Sequence, residues 1–178
     1  MPKTQTAEYL IIASSLRSAS FSRVMADTLR SIYETLEVPH RLIDLRKFVL
    51  PLCDGESSYE HPHVATLTGI IEAARVVVIA TPVYNYDANA AVKNLVEMTG
   101  GAWENKTVGF LCAAGGNSSY MSIMSLANSL MLDFRCLIIP RFVYAKGDDF
   151  CNARKPVASL TERIKQLADA TLKIRNAV

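Results

Sequence analysis

The chain has 178 residues, of which 50% are hydrophobic, and a formal net charge of +2 from 19 basic and 17 acidic residues. This length provides one domain with a substantial core and is too short for two ordinary domains. The charges are scattered and lack the basic block that a nucleic-acid surface needs. We therefore expect a single domain over residues 1–178 and no nucleic-acid partner.

The N-terminal segment and the cysteines bear on the location of the protein. Residues 1–7 lack the charged start and apolar centre of a signal peptide, and no apolar run approaches the length of a membrane span. Cys112 and Cys136 lie in apolar runs, and no CxxC spacing links any two of the four cysteines. We predict a cytoplasmic protein with reduced thiols and no membrane partner.

The first predicted element is a strand at residues 8–13, which stops at a turn crowded with hydroxyls and arginines. A strand that ends at a helix N-terminus aims unpaired backbone N–H groups and the positive end of the helix dipole at one point. The turn lacks both the GxGxxG and the GK[ST] patterns, so we interpret it as a phosphate site of another kind. The side chains that can serve it are Ser14, Ser15, Arg17, Ser18, Ser20, Ser22 and Arg23.

An amphipathic helix follows this turn, with Ser20 or Ser22 as its N-cap and Pro39 preventing its continuation. A second strand at residues 40–45 comes next and carries Asp44 near its end. An acidic residue there can bind a ribose hydroxyl in a dinucleotide fold. Without the glycine fingerprint, a solvated strand end is favoured by roughly three to one.

The connection at residues 46–62 is long enough to be a lid or a contact arm, and its role is left open. His61 and His63 flank Pro62, but no Cys or acidic pair nearby completes a metal site. An exposed helix start is therefore favoured by about nine to one, and no metal is expected. A short helix at residues 64–74 follows.

The rest of the chain continues the alternation of strands and helices. Strands are predicted at residues 76–80, 106–114 and 136–144, the last interrupted by Pro140, and helices at about 88–98, at 118–132 and after Pro156. Such alternation predicts a parallel sheet with helices on both faces. Loops that follow the strands then share one edge of the sheet, where ligands bind.

Three loops meet at this predicted edge. Beside the phosphate turn, the segment TPVYNYD offers Tyr84, Asn85 and Tyr86 with Pro82 stiffening the backbone, which suits a flat heteroaromatic ring. The turn at residues 115–117 has glycines that let main-chain amides approach a ligand closely. Each loop alone is as often structural as functional, but their joint placement leaves a purely structural role about one chance in ten. Together they predict a mononucleotide cofactor.

The first two loops resemble the signatures of the NADPH-dependent FMN reductase family. Residues 14–23 are similar to GSLRxxSxNxxLA, with Ser14 in place of glycine and Ser22 in place of asparagine. Residues 81–94 are similar to TPEYNxSxPxxLKN, with Asn89 in place of proline. In the same segment Val83 replaces glutamate and Asp87 replaces serine. The resemblance covers residues 8 to about 170.

The resemblance implies a flavodoxin-like three-layer sandwich whose five-stranded parallel sheet has the order 2-1-3-4-5. It also implies bound FMN, with NADPH or NADH as co-substrate and a flavin, quinone, azo dye or metal oxyanion as acceptor. By this resemblance the FMN phosphate is held by Ser15, Arg17, Ser20 and Ser22, the isoalloxazine lies along Pro82, Val83, Tyr84 and Asn85, and its other edge lies near Gly115 and Gly116. The flavin carries the chemistry, so no catalytic acid, base or nucleophile is named.

Two further expectations concern rival functions and assembly. A serine hydrolase is disfavoured because no GxSxG is present, and a flavodoxin-like electron carrier or flavin sensor, the main alternative, usually has a strongly acidic surface. Residues 117–132 contain no charged residue, which predicts burial on both sides, the second by another subunit. Two-fold dimers are the commonest soluble oligomers, and the resemblance implies a homodimer or homotetramer with flavins near subunit boundaries. We expect this helix and the helix at 88–98 to help form a two-fold interface beside the flavin. A solvent-facing serine stripe keeps roughly one chance in three.

Overall fold

The computed structural model of the protein describes residues 8–151 and 154–175, except for the side chain of residue 175. Apolar runs in its strands form a sheet with the order β2-β1-β3-β5-β6, in which β7 also pairs with β5 and β4 pairs with β3. The strands are Tyr9–Ala13 (β1), His40–Asp44 (β2), Val76–Tyr84 (β3), Asp87–Ala88 (β4), Thr107–Ala113 (β5), Leu137–Ile138 (β6) and Val143–Ala145 (β7). All pairs are parallel except β3 with β4.

Helices cover both faces of this sheet, which confirms the predicted three-layer α/β architecture. They are Phe21–Thr35 (α1), Pro62–Ala73 (α2), Ala90–Thr99 (α3), Met124–Phe134 (α4) and Ala158–Arg175 (α5). Alternate residues of each strand point to opposite faces. Leu10 therefore packs with α2, α3 and α4, whereas Ile11 packs with α1 and α5. Gly109 of β5 permits close packing of α5, because a Cβ there would lie 3.2 Å from Leu167 Cδ1.

The strand count differs from the predicted five because two segments have a different local structure. The predicted last strand at 136–144 is divided into β6 and β7, with Pro140 between them, since proline supplies no N–H to a ladder. The strand predicted at 76–80 runs on to Tyr84 and turns back into β4. The order 2-1-3-4-5 is retained, with β6 and β7 sharing the fifth position.

The helix predicted at residues 118–132 begins later, at Met124. Residues 118–123 instead form turns with hydrogen bonds between residues three apart, as from Ser122 N to the Ser119 carbonyl at 3.1 Å. Serine and asparagine hydrogen-bond to nearby backbone and side-chain groups and so compete with helix formation. Ser119 Oγ in particular lies 2.8 Å from the Tyr144 hydroxyl, which ties these turns to β7.

Other local predictions are confirmed at their positions. Ser20 occupies the N-cap position of α1, although its side chain makes no capping hydrogen bond. His61 caps α2 by accepting a hydrogen bond from His63 N at 3.3 Å. Burial raises the pKa of the Cys112 thiol to about 12 and that of Cys136 to about 11, so both are unreactive core thiols. Among the described residues, no helix combines the length and the apolar character needed to cross a membrane.

Candidate functional site

A cleft of about 380 Å³ lies at the carboxyl ends of β1, β3 and β5. The turn after β1, the end of β3 and the turn after β5 form its walls, because parallel strands bring these three segments to one edge. Its lining consists of Arg17, Ala19, Ser20, Phe21, Pro82, Val83, Tyr84, Ala113, Ala114, Gly115 and Gly147.

The predicted site residues divide into two groups by their place around this cleft. The cleft is lined by Arg17, Ser20, Pro82, Val83, Tyr84 and Gly115. Ser15 and Ser22 are buried behind it, whereas Asn85 and Gly116 are exposed beside it. The structure thus brings residues of all three predicted loops to one cavity. The remaining predicted residues lie next to those that line it.

The turn after β1 presents its arginine and one serine to the cleft. Arg17 is exposed, and its backbone N–H donates to Ser15 Oγ at 3.3 Å, which holds the turn in shape. Ser20 Oγ and Ser22 Oγ lie 2.9 Å apart, and Ser22 is fully buried. Ser22 therefore supports Ser20 from inside the fold rather than facing the cavity.

Asp44 anchors this turn from the end of β2, and the prediction of a solvated strand end is wrong. Its side chain is only 3% exposed and accepts hydrogen bonds from Arg46 Nη2 at 2.6 Å and from Arg46 N at 3.1 Å. It also forms an ion pair with Arg23 of α1. Arg46 Nη1 in turn donates to the Ser18 carbonyl at 3.4 Å. A buried carboxylate thus ties both α1 and the turn to β2.

The pKa of Asp44 reflects this setting. Burial raises it, but the hydrogen bonds from Arg46 and the nearby charge of Arg23 outweigh the burial and leave the pKa below its ordinary value. The carboxylate is therefore ionised at neutral pH and keeps both guanidinium groups in place.

Asn89, the N-cap residue of α3, joins the first two loops. Its side-chain Nδ2 donates to the Ser14 carbonyl at 2.9 Å, and its Oδ1 accepts from Ser14 Oγ at 2.7 Å and from Thr81 Oγ1 at 3.0 Å. All three residues are buried. This network sets the position of the turn after β1 relative to the end of β3.

The second loop is a tight hairpin between β3 and β4. Val83 pairs with Ala88 and Tyr84 pairs with Asp87, so Asn85 and Tyr86 are the two central residues. Both have positive φ values, 51° and 65°, as a type I′ turn requires. Asn is common at such positions but Tyr is not. Tyr84 and Pro82 lie two residues apart in β3, so the half-exposed ring of Tyr84 and the buried Pro82 are on the same face of the strand.

The third loop leaves open space beside its glycines. A Cβ added to Gly115 or Gly116 would meet no atom within 4 Å. The Gly116 carbonyl accepts a hydrogen bond from the Tyr144 hydroxyl of β7, which helps to hold the backbone of the turn. Both glycines are exposed, so the space beside them is open to solvent or to a ligand.

Phe21 also lines the cleft, and residues near the start of α5 pack against it. Phe21 stacks on Phe150 with ring centroids 4.2 Å apart, and the Arg154 guanidinium lies 4.8 Å from the centre of the Phe21 ring. Arg154 Nη2 also donates to the Ala19 carbonyl at 2.8 Å. The segment before α5 thus braces the turn after β1. No local pattern indicates a contact between residues so far apart in the chain.

Comparisons with known proteins find related flavin reductases. A family model described as NADPH-dependent FMN reductase matches residues 8–151. The chain is 30% identical over 136 residues to an NAD(P)H-dependent FAD/FMN reductase of Geobacillus thermodenitrificans, covering 74% of this chain and 73% of that protein. It is 26% identical over 172 residues to the NADH-dependent FMN reductase SfnE of Pseudomonas putida, covering 94% and 92% of the two chains.

A solved structure with a similar fold is the flavoenzyme NAD(P)H:(acceptor) oxidoreductase FerB from Paracoccus denitrificans. Its TM-score is 0.74 at 17% identity, over 91% of this chain and 93% of that chain. At this identity the likeness establishes the flavodoxin-like fold alone.

Proposed function

The chain belongs to the NADPH-dependent FMN reductase family, and from this premise we propose that it transfers reducing equivalents from NAD(P)H, through FMN held in the cleft, to a second small-molecule acceptor. FMN is its cofactor and NAD(P)H its co-substrate. When bound, FMN supplies the hydride-accepting and electron-donating chemistry. The acceptor classes that we propose are a flavin, a quinone, an azo dye or a metal oxyanion.

The observation that carries this proposal is the set of chemical groups that line the cleft. The strand order places the end of β3 between the turns that follow β1 and β5. Arg17 and Ser20 come from the turn after β1, next to the N-terminus of α1, and Gly115 comes from the turn after β5, where open space lies beside the glycines. Between them Pro82 and Tyr84 line the wall. Anion donors, a flat wall and an approachable backbone match the phosphate, the ring and the ring edge of a flavin mononucleotide. The volume is also in the range of ligand pockets, about 300–1,000 Å³.

We assign the phosphate to the turn after β1 on the basis of its donors. The Arg17 guanidinium can bind phosphate oxygens at two points, and Ser20 adds a hydroxyl donor from the cleft lining. Ser15 is buried and acts by accepting the Arg17 backbone N–H, which shapes the turn. The first backbone N–H groups of α1 have no partner within the helix and point the same way. Ser22 acts through Ser20, because its own hydroxyl is buried.

We assign the isoalloxazine to the hairpin and the glycine turn. Pro82, Val83, Tyr84 and Asn85 lie along one side of it in this proposal, with Gly115 and Gly116 at the other edge. The backbone amides of these turns are rigidly placed, since β4 pairs with β3 and Tyr144 holds Gly116. Their role is to orient the ring and to exclude water rather than to transfer protons.

The alternative function is that of an electron carrier or flavin-binding sensor without its own NAD(P)H turnover. An archaeal flavodoxin shares the fold with a TM-score of 0.66 at 12% identity. The net charge of +2 does not match the strongly acidic surface that such carriers usually have.

One experiment separates the two functions. The purified protein is loaded with FMN, and oxidation of NADPH and of NADH is followed with a quinone as acceptor. A reductase gives steady oxidation over many turnovers, whereas a carrier or sensor gives none above the rate of free FMN. Absence of turnover by a protein with stoichiometric FMN would overturn the proposed function.

We also propose that the protein assembles as a homodimer or homotetramer. The outer face of α4 and the turn before it expose an apolar surface formed by Met121, Met124, Met131 and Leu132. Leu126, on the other side of this helix, is buried in the core. The exposed methionines are of the kind found at adaptable protein contacts.

A further inference from the structure

A second cavity, of about 350 Å³, lies beside the cleft at the edge of the sheet formed by β7. Its walls combine aromatic rings with charged groups, and the residues that matter here are Tyr120, Phe142, Tyr144, Lys146, Asp149 and Arg163.

The two cavities adjoin along two segments of backbone. Gly147 lines the first cavity and Lys146 the second, and Gly115 lines the first and Asn117 the second. The Cα atoms of consecutive residues, such as Lys146 and Gly147, are about 3.8 Å apart. The two cavities are therefore close enough to hold the two halves of one extended ligand.

Three aromatic rings form one wall of the second cavity. The ring of Tyr120 lies 5.3 Å from that of Phe142 and 5.6 Å from that of Tyr144, centroid to centroid. The Tyr144 hydroxyl bonds both Gly116 O and Ser119 Oγ, so its ring cannot turn away. Tyr120 is 51% exposed and leaves ring surface available. Rigid aromatic faces of this kind suit the stacking of a flat heteroaromatic base.

The two cations of the cavity differ in how firmly they are held. Arg163 is committed to the fold, since Nη1 donates to the Tyr144 carbonyl at 2.7 Å and Nη2 contacts Asp149 Oδ1 at 2.5 Å. The Lys146 ammonium has Asp148 at 3.3 Å, but the Asp148 side chain is 88% exposed. Such exposed pairs are weak and exchange readily. Lys146 is thus the cation that can leave its carboxylate for a phosphate.

We propose that this second cavity binds the purine-nucleotide half of the nicotinamide co-substrate, and that Lys146 contacts its 2′-phosphate and so favours NADPH over NADH. The inference rests on the proposed function, which supplies the co-substrate. The Asp149 carboxylate does not oppose the phosphate, because Arg163 compensates its charge. The backbone of Lys146 is fixed by its N–H bond to Asp149 Oδ2 at 2.9 Å, which keeps the ammonium within reach.

Steady-state kinetics on FMN-loaded protein test the inference. Lys146→Gln should lower the ratio of kcat/KM for NADPH to kcat/KM for NADH by about tenfold, because one charge-assisted contact is lost. The change should appear as a higher KM for NADPH. Asp148→Asn should raise the same ratio, because the competing carboxylate is removed. Lys165→Gln is the control, because it removes an exposed lysine of α5 that does not line the cavity, and it should leave the ratio unchanged.

Direct binding supplies a readout that does not need turnover. Adenosine 2′,5′-bisphosphate and adenosine 5′-monophosphate are titrated calorimetrically into the FMN-loaded protein. The bisphosphate should bind more tightly to the wild type, and Lys146→Gln should abolish the difference. Tyr120→Leu should weaken both ligands alike, since it removes stacking surface without touching the charge.

The outcomes distinguish this inference from the function on which it rests. No NAD(P)H oxidation by the FMN-loaded wild type overturns the proposed function. Turnover with an NADPH/NADH ratio that Lys146→Gln leaves unchanged, or a wild type that prefers NADH, overturns only the role of Lys146. Equal affinity of the wild type for the two adenosine phosphates would also overturn the role of Lys146.

Discussion

Ser14 and Asn89 form a reciprocal pair of buried hydrogen bonds across the two signature loops. Ser14 Oγ donates to Asn89 Oδ1 at 2.7 Å, and Asn89 Nδ2 donates to the Ser14 carbonyl at 2.9 Å. These are the positions at which the family signatures have glycine and proline, so two separate departures from the signatures meet in one contact. The pair replaces the rigidity of a proline with side-chain hydrogen bonds.

A double-mutant cycle at these positions should be non-additive. Asn89 has φ −66°, which proline can adopt, but Asn89→Pro leaves the buried Ser14 carbonyl without its donor and should cost about 1–3 kcal/mol in the free energy of unfolding. Ser14→Gly removes part of the same network. Urea unfolding of the double variant should therefore give a loss smaller than the sum of the single losses by about 0.5 kcal/mol or more. Strict additivity would mean that the two residues do not act as a unit.

Arg17→Ala should weaken FMN binding and leave the fold intact. Arg17 is exposed on the turn after β1, and charge-assisted hydrogen bonds are worth about 1.5–3 kcal/mol, so the dissociation constant should rise about tenfold to a hundredfold. Quenching of FMN fluorescence measures it. Arg30→Ala, on the exposed side of α1, is the matched control and should bind FMN as the wild type does. An unchanged constant in Arg17→Ala would remove the phosphate from this turn.

Tyr84→Phe should retain a good part of the turnover with NADPH. The Tyr84 side chain is 52% exposed at the mouth of the cleft, and we expect its ring rather than its hydroxyl to face the flavin. Tyr84→Ala should do worse than Tyr84→Phe, because it removes the ring itself. Loss of all activity in Tyr84→Phe with FMN still bound would show instead that the hydroxyl takes part in proton transfer.

The free energy of unfolding should fall in acid as Asp44 becomes protonated. Its pKa in the folded protein lies below the ordinary 3.8, so its ionised form stabilises the fold at pH values above about 4. That contribution is lost as the pH falls through the folded pKa. Asp44→Asn should therefore be less stable than the wild type at pH 7, by about 1–3 kcal/mol, and the difference should shrink below pH 4. Urea midpoints at pH 7, 5 and 3 measure this, with the exposed Asp133→Asn as control.

Adding two charges to α4 should lower the assembly state. Ser125 and Ser129 are exposed one helical turn apart among the apolar side chains of that face. Glutamate at both would place like charges in the proposed interface, so light scattering should give a smaller mass and FMN occupancy should fall. The same two charges at Ser31 and Thr35, exposed on α1, should leave the mass unchanged. A monomeric wild type at micromolar concentration, or full assembly of the α4 variant, would contradict the proposal.

The order of elements and much of the core could be predicted from local patterns. The helical spacing of Leu160, Ile164 and Leu167 predicted the buried side of α5, and all three are fully buried. The apolar run of β3 likewise predicted a central strand. Hydrophobic periodicity predicts which side of an element is buried, because the apolar side must be buried whichever neighbouring element packs against it.

The sequence also carried the family resemblance and, with it, the cofactor, since the signature residues are contiguous in two short segments. The tertiary structure decided what depends on partners distant in the chain. Asp44 can be buried as a carboxylate because Arg23 of α1 and Arg46, just after β2, pair with it in the folded protein. Arg154 reaches Ala19 across 135 positions, and Lys146 adjoins an aromatic wall only where β7 meets the turns before α4. Periodicity and turn chemistry act over a few residues, whereas charge pairing and cavity shape depend on which elements the folded chain places side by side.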